Sequence, residues 1–387
     1  MRVCGVIAEY DPFHNGHQYQ LAQARERTGA DYSVCVLGCA FSQRGDAMLF
    51  SSHDRARMAL LGGHDLVLGM PFSFSCAQAN RFARGGVGIL NGLGVVTDIS
   101  FGCETDRLDL VYAAARLLDE PDGAFQGRLR RGLDEGRSFA HARGAALEEA
   151  FADVSPALLR SPNFILGVCY VRELARLRSS IRVTPVRRET GYHSLEAGPT
   201  ASASAVRAML LRGDFAGATE ACPGTTARAV REAMDGGRMH RPDALDAALI
   251  AALLRARPED LRRSPEVSEG LEDRILAAAR EATGRAGLAE AVRTRRYPRP
   301  RVSRALSHAL VGANVFPPEP AYARLLGFRR GAAPLLQAIG GRFPLVSRPA
   351  RSPFPETAQD MRAEELWMLG SGQAPAQAWR NGVVIID

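Results

Sequence analysis

An α/β fold built on a parallel sheet is predicted by three observations. Short apolar runs alternate with longer amphipathic segments up to about residue 235. The intervening segments are long enough for crossover helices and too long for hairpin turns. Glycine and proline breaks, at Gly62-Gly63, Gly92-Leu93-Gly94 and Pro121-Asp122-Gly123, punctuate the alternation.

The strands are expected at 3–7, 32–37, 66–68, 99–101 and 182–186, where apolar residues run nearly unbroken, as they do in a sheet buried on both faces. Helices are expected at 17–27, 53–61, 77–93 and 107–118, where the apolar period lengthens. Asp235-Gly236-Gly237 and Pro242 interrupt this pattern. We therefore divide the chain into residues 1–235 and 236–387. The second part reads as mainly helical, at 244–254, 268–282, 287–292 and 302–310. It ends in a Pro/Arg-rich segment and a short helix around 363–369.

Composition narrows the function classes. At 387 residues, 46% hydrophobic and 24% charged, the chain can bury a large core. No stretch reaches the ~18 uninterrupted apolar residues of a membrane span, and the opening residues lack a secretory pattern, so a cytoplasmic protein is expected. The seven cysteines, Cys4, Cys35, Cys39, Cys76, Cys103, Cys169 and Cys222, are scattered among apolar runs, which suits reduced thiols and not a zinc finger. Net charge is +7, and every Lys/Arg position is arginine. Without lysine there can be no Walker A phosphate loop, no Schiff base and no Lys-Met-Ser-Lys-Ser loop.

The stretch Glu9-Tyr10-Asp11-Pro12-Phe13-His14-Asn15-Gly16-His17 follows the first expected strand and opens the first expected helix. Such a layout aims free helix N–H groups and the positive end of the dipole at an anion. His14 and His17, three residues apart, share a helix face. Gly16 lets backbone approach a phosphate closely. Two imidazoles beside an α-phosphate could stabilise charge growing on its oxygens during in-line displacement. Histidines at a helix start can equally be cap residues or half of a metal site.

Further patches lie where an open sheet places its ligands. Gln43 and Arg44 follow the second strand. Gly102, in Phe101-Gly102-Cys103-Glu104, could admit a base or ribose, or simply serve a tight turn. Asn163, in Ser161-Pro162-Asn163, is either a helix cap or a nucleotide contact. Arg187, Arg188, Tyr192 and His193 follow the last strand, where a solvated basic loop is the alternative. In the stretch 200–207, Ser202 and Ser204 precede a helix and Arg207 sits in its first turn. This arrangement suits the outer phosphates of a nucleoside triphosphate, with Arg207 neutralising pyrophosphate, although an ordinary serine cap would look the same. Farther on, Arg293, Arg295, Arg296, Arg299, Arg301 and Arg304 cluster around Tyr297 with no acid among them. That run fits a nucleic-acid backbone, with Tyr297 available to stack or pack, or else a basic solvated hinge.

Taken together, these residues resemble the bacterial tRNA(Met) cytidine acetate ligase family, within the HxGH nucleotidyltransferase-like superfamily. The resemblance lies in the opening stretch 5–17, in Gln43-Arg44-Gly45, Phe101-Gly102, Ser161-Pro162-Asn163 with Ile165-Leu166-Gly167, and Gly191-Tyr192-His193. It continues in Ala201-Ser202-Ala203 with Arg207, and in Tyr322 with Leu326-Gly327-Phe328. It implies a Rossmann-like parallel-sheet nucleotidyltransferase domain over residues 1–235 and a mainly helical tRNA-binding region over 236–387.

The implied activity is ATP-dependent activation of acetate to acetyl-adenylate, with Mg2+ accompanying ATP. Acetyl would then pass to the wobble cytidine of elongator tRNA(Met), giving N4-acetylcytidine. By the resemblance, Ile7, Ala8, Glu9, Tyr10, Asp11, Pro12, Phe13, Asn15, Gly16 and Gln20 would form the ATP site with Gly102, Asn163 and Arg187 or its neighbour Arg188. His14 and His17 would act on the α-phosphate. Gln43, Arg44 and the arginine cluster would meet tRNA, and neither a membrane nor a stable protein partner is implied. The chain departs from the family pattern at Asp11, Gly69, Cys103, Phe164 and Pro298. Two other readings compete: a nucleotidyltransferase joining an adenylyl or cytidylyl group to a small phosphate metabolite, and a non-catalytic nucleotide-responsive RNA-binding protein.

Overall fold

The computed structural model describes residues 1–188 and 201–387; Gly191, Tyr192, His193 and Thr200 lie outside the described residues. The strands β1 (Val3–Ala8), β2 (Tyr32–Gly38), β3 (Leu66–Met70), β4 (Asp98–Cys103) and β5 (Arg182–Arg187) pair in parallel in the order β5-β4-β1-β2-β3. Side chains alternate across β1. Val3 and Ile7 join the core beneath the helix Ala79–Gly92, whereas Val6 joins the opposite core with Phe13, Leu60 and Val206. Close packing sets two glycines: a Cβ on Gly5 would stand 2.7 Å from the Leu90 side chain, and one on Gly86 would stand 2.5 Å from Ile7.

From β1 the chain runs through the helix α1 (Asn15–Thr28) to β2, and through α2 (Ser52–Leu61) to β3. It then crosses back to place β4 on the other side of β1. The carboxyl ends of β1 and β4 therefore diverge at a topological switch point, where open α/β sheets form their ligand crevice.

The sheet does not stop at these parallel strands. β6 (Ala323–Arg329) runs antiparallel to β3, and β7 (Leu345–Val346) and β8 (Val384–Ile386) pair in parallel with β6. The segment after residue 235, expected to be mainly helical, thus also supplies strands that cover the β3 edge. A polar feature hides β6 in the sequence. Arg324 lies in the strand fully packed, and it is held there by an ion pair with Glu364 at 3.0 Å. Glu364 belongs to the helix Glu356–Gly370, about twice the length expected. Its buried face is built from hydrogen-bonding residues: Asp360 accepts from the Phe72 N–H at 2.7 Å and from the Tyr322 hydroxyl, and Gln359 accepts from the Asn314 and Val315 N–H groups. Hydrophobic periodicity cannot reveal such a face.

Gly69 pairs with Arg324 across β3 and β6, and a Cβ there would lie 2.9 Å from the Cys39 sulfur. The family departure at Gly69 therefore leaves no room for a carboxylate, and Glu364 supplies the charge that Arg324 requires. Phe164 and Cys103 are both core residues.

The helices Asp246–Arg255, Leu271–Ala279, Arg285–Val292 and Arg299–Val311 enclose a separate core that includes Leu249, Leu253, Ile275, Leu288 and Leu306. They meet the sheet domain at Gly45, whose φ is +96° and whose Cβ would lie 2.6 Å from the backbone of Ser303 and Arg304. The Gly45 carbonyl accepts from Arg285 at 2.8 Å and from the Ser307 hydroxyl. Among the described residues no helix is long and apolar enough to cross a membrane.

Arg55 of α2 is fully buried and joins the carboxyl ends of β1 and β2. Its guanidinium donates to the carbonyls of Glu9 (2.6 Å), Gly38 (2.7 Å), Cys39 (2.5 Å) and Phe50 (3.0 Å). Replacing it with methionine strands several buried carbonyls. Arg55→Met is expected to lower the unfolding free energy by about 3 kcal/mol or more in urea titration; a loss below about 1 kcal/mol would show that water or relaxation replaces the guanidinium.

Candidate active site at the carboxyl ends of β1 and β4

The loop leaving β1 is fixed from behind. Tyr10 adopts φ +48°, unusual for a residue with a side chain, and its buried ring stacks edge-on against Phe13. Its hydroxyl hydrogen-bonds the His64 imidazole at 2.8 Å. The Asp11–Pro12 peptide is cis. The Asp11 carboxylate accepts from the N–H groups of Leu49 (2.8 Å) and Phe50 (3.0 Å), so aspartate at this position serves as a turn anchor.

His14 is the N-cap of α1, and its Nδ1 accepts the Gly16 N–H at 3.1 Å. His17 Nδ1 reciprocally accepts the His14 N–H at 3.3 Å. The two rings stack with centroids 3.7 Å apart. Both Nδ1 atoms act as acceptors, so in the neutral rings the proton sits on Nε2, which makes each ring a donor at its outer edge. Burial, reinforced by the charges of Arg188 and Arg207, pushes the His14 pKa down to about 3. Burial likewise holds His17 well below its ordinary value, with His14, Arg188, His64 and Arg207 adding to the effect. The pair is neutral at physiological pH.

These rings face a cavity of about 660 Å³. Ile7, Ala8, Glu9, Tyr10, Asp11, Asn15, Gly16 and Gln20 line it with them. Gln20 donates to Ser100 of β4 at 3.0 Å, tying α1 across the switch point. The opposite wall brings in Gly102, Asn163, Arg187 and Arg188, and a Cβ on Gly102 would stand 3.3 Å from Arg188. Asn163 is not the helix cap; Ser161 is, and the Asn163 amide donates to Glu104 at 2.8 Å, as does the Ser161 hydroxyl.

Ser202 caps the helix Ala203–Leu211 by accepting the Ala205 N–H at 3.2 Å, and it lines the cavity as well. Arg207, the fifth residue of that helix and so just past the expected first turn, donates to the Asp11 carbonyl (3.0 Å) and to Ser204 Oγ (3.1 Å), so its fork is held at the cavity edge. Apolar side chains complete the wall: Phe82, Phe101, Ile165, Leu166 and Tyr170. Phe101, Ile165 and Leu166 fall in stretches that carry the family resemblance, whereas Phe82 and Tyr170 belong to no motif.

Several expected contacts are corrected. Pro12 and Phe13 do not line the cavity; both are buried, and Phe13 packs against Gly62 and Tyr10 as the floor beneath the loop. Gln43 and Arg44 line the cavity itself. In the arginine cluster, acids arrive from other elements. Arg304 is buried and pairs with Glu266 at 2.9 Å; Arg301 donates to the Glu266 carbonyl and to Ser268. Tyr297 is buried, with its hydroxyl on the Glu269 carbonyl and Arg301 over its ring, so it cannot stack on a base. Arg293 and Arg296 are exposed but paired with Glu290 and Glu269. Arg295 and Arg299 are exposed and, among the described residues, make no ion pair.

The histidine assignment has a direct readout. In 15N-detected NMR, His14 and His17 are expected as neutral Nε2–H tautomers throughout pH 8 to 5, because their folded values lie far below 6.5; titration of either near 6.5 would contradict the locked geometry. The sign for stability follows. Below about pH 6.5 the unfolded chain binds protons that the folded chain refuses, so stability falls as pH drops toward 4.

Comparisons with known proteins agree on one family. A family model described as HIGH Nucleotidyl Transferase matches residues 1–380. The tRNA(Met) cytidine acetate ligase of Acetivibrio thermocellus is 36% identical over 358 residues, covering 88% of this chain and 86% of the relative. That of Halothermothrix orenii is 33% identical over 372 residues, covering 90% and 87%. The crystal structure of Thermotoga maritima TmcAL bound with alpha-thio ATP aligns with TM-score 0.89 and 26% identity over 100% of both chains. The chain therefore belongs to the tRNA(Met) cytidine acetate ligase family of HIGH nucleotidyltransferases.

Proposed function

We propose that this protein activates acetate with ATP and transfers the acetyl group to the wobble cytidine of elongator tRNA(Met), forming N4-acetylcytidine. The observation that carries this reading is the stacked His14–His17 pair, two neutral Nε2–H donors at the switch point of the sheet. Relatives of the chain bear the name of that activity, and a solved neighbour is bound with alpha-thio ATP.

ATP lies with its base and ribose against Gly102, Asn163 and the apolar wall, and its α-phosphate over the imidazole pair. An acetate oxygen attacks the α-phosphorus, the bond to the β-phosphate breaks, and pyrophosphate leaves with the electron pair. His14 and His17 donate to the α-phosphate oxygens as charge grows there, without either needing to be protonated first. Arg207, with Arg187 and Arg188, receives the charge of the departing pyrophosphate. Phe82, Phe101, Ile165, Leu166 and Tyr170 exclude water, which keeps the acyl-adenylate from hydrolysis until tRNA arrives. Magnesium enters as the cation that ATP carries. Among the described residues no group of three or more His, Cys, Asp or Glu gathers to hold it.

Arg295 and Arg299, with Arg293 and Arg296 beside them, offer the exposed positive face for the tRNA backbone. Gln43 and Arg44 stand where that region meets the cavity.

Incubation with ATP, labelled acetate and total tRNA is expected to yield labelled acetylcytidine after digestion; a product absent from the RNA would defeat the reading. His14→Ala and His17→Ala should each reduce acetate-dependent pyrophosphate release by on the order of 100-fold or more. Thermal melts separate this from the ~1 kcal/mol cost of losing the His14 cap. Wild-type rates in both variants would remove the assigned roles. Arg295→Gln with Arg299→Gln should weaken tRNA binding and flatten its salt dependence while sparing ATP affinity; unchanged tRNA affinity would take this face out of the account.

A further inference from the structure

Acetyl transfer needs a proton acceptor that adenylation does not. When the exocyclic amine of cytidine attacks the acetyl carbonyl carbon, a C–N bond forms, the bond from that carbon to the AMP phosphate oxygen breaks, and AMP leaves with the electron pair. The nitrogen must then lose a proton. The cavity's groups can be taken in turn. His14 and His17 spend Nδ1 on backbone N–H groups and carry their proton on Nε2, so they are donors. Asp11 has both carboxylate oxygens engaged by Leu49 and Phe50. The Tyr10 and Tyr170 phenols are pushed above their ordinary range by burial, and arginine does not give up its proton.

Glu9 remains. Its Oε1 accepts the Gln43 N–H at 2.6 Å, whereas among the described residues Oε2 has no hydrogen-bond partner, and Glu9 lines the cavity. We infer that Glu9 is the general base of the transfer step, its Oε2 taking the proton released from the cytidine amine as the acetyl C–N bond forms.

Two further observations fit this role. Burial raises the Glu9 carboxyl above its usual range, against the pull of the Gln43 N–H, Arg207 and Arg55 and with a small push from Asp11, which makes it a stronger base than an exposed glutamate. The residue that orients it belongs to the loop that Gly45 pins to the helical region, so the base sits on the side from which tRNA would approach. Gln43 also donates to the Ala77 carbonyl at 3.0 Å, which fixes the loop on its other side.

The inference rests on the acetate ligase reading, and its test separates the two. Acetate-dependent exchange of pyrophosphate into ATP reports adenylation alone; single-turnover transfer from preformed acetyl-adenylate to tRNA reports the second step. For Glu9→Gln, whose amide oxygen can still accept from Gln43, the fall in transfer is expected to exceed the fall in exchange by about 100-fold or more. Wild-type transfer should rise with pH and level off once Glu9 is ionised, and the Gln variant should lose that rise. Glu9→Asp, which keeps the carboxylate, should recover part of the rate. Equal losses in exchange and transfer would make Glu9 a nucleotide-binding residue and overturn the inference, as would an unchanged pH profile. Wild-type protein that exchanges no pyrophosphate in response to acetate would instead bring down the acetate ligase reading, and the inference with it.

Discussion

Two backbone N–H groups, those of His14 and Gly16, hold the imidazoles of His17 and His14 by their Nδ1 atoms, and the site depends on that lock. A histidine free to rotate could present either nitrogen and could titrate near neutrality. Here the helix start itself chooses the tautomer, and burial keeps the rings uncharged. The capping box that begins α1 is therefore also the chemical device: the same bonds that satisfy orphan helix donors aim a pair of Nε2–H groups at one point. Everything beneath serves to keep that point still. Phe13 fills the space under the loop, Asp11 ties it to Leu49 and Phe50 just ahead of α2, and Arg55 fastens the ends of β1 and β2.

A chain whose only strong base is arginine uses it in two distinct ways. Buried guanidiniums act as multi-pronged staples: Arg55 on four carbonyls, Arg285 on Gly45, Ser303 and Ser307, and Arg324 on Glu364. The planar fork suits this work because its donors diverge in fixed directions and can satisfy several acceptors at once. Exposed arginines remain for an anionic partner. The six arginines of the 293–304 cluster therefore overstate the exposed positive surface there, since Glu266, Glu269 and Glu290 neutralise part of it.

The parallel strands and the first helix were legible because their signals are local: apolar runs of strand length, and a histidine-glycine turn after the first of them. Each observed strand from β1 to β5 contains the corresponding expected run. What escaped was polar and long-range. β6 carries a buried arginine whose partner lies 40 residues later, and the helix Glu356–Gly370 buries carboxylates and an amide where a periodic reading looks for leucines. Tyr297 and Arg304 read as a nucleic-acid surface because the groups that satisfy them, the Glu269 carbonyl and the Glu266 carboxylate, come from a distant loop ahead of the helix Leu271–Ala279. The resemblance assigns Pro12 and Phe13 to the ATP site with their neighbours, yet a tight loop must turn some side chains inward to be held at all. In the sequence Asn163 reads equally as cap or contact; only the fold brings Glu104, 59 residues earlier, to its amide.

The central claim concerns where the innermost phosphate sits. A crystal structure of this protein with an ATP analogue that cannot be cleaved between the α- and β-phosphates tests it most directly. The account requires the Nε2 atoms of both His14 and His17 within about 3.2 Å of α-phosphate oxygens, with Arg207 toward the β- and γ-phosphates. An α-phosphate seated elsewhere in the cavity, with either ring turned so that Nδ1 faces it, would contradict the account.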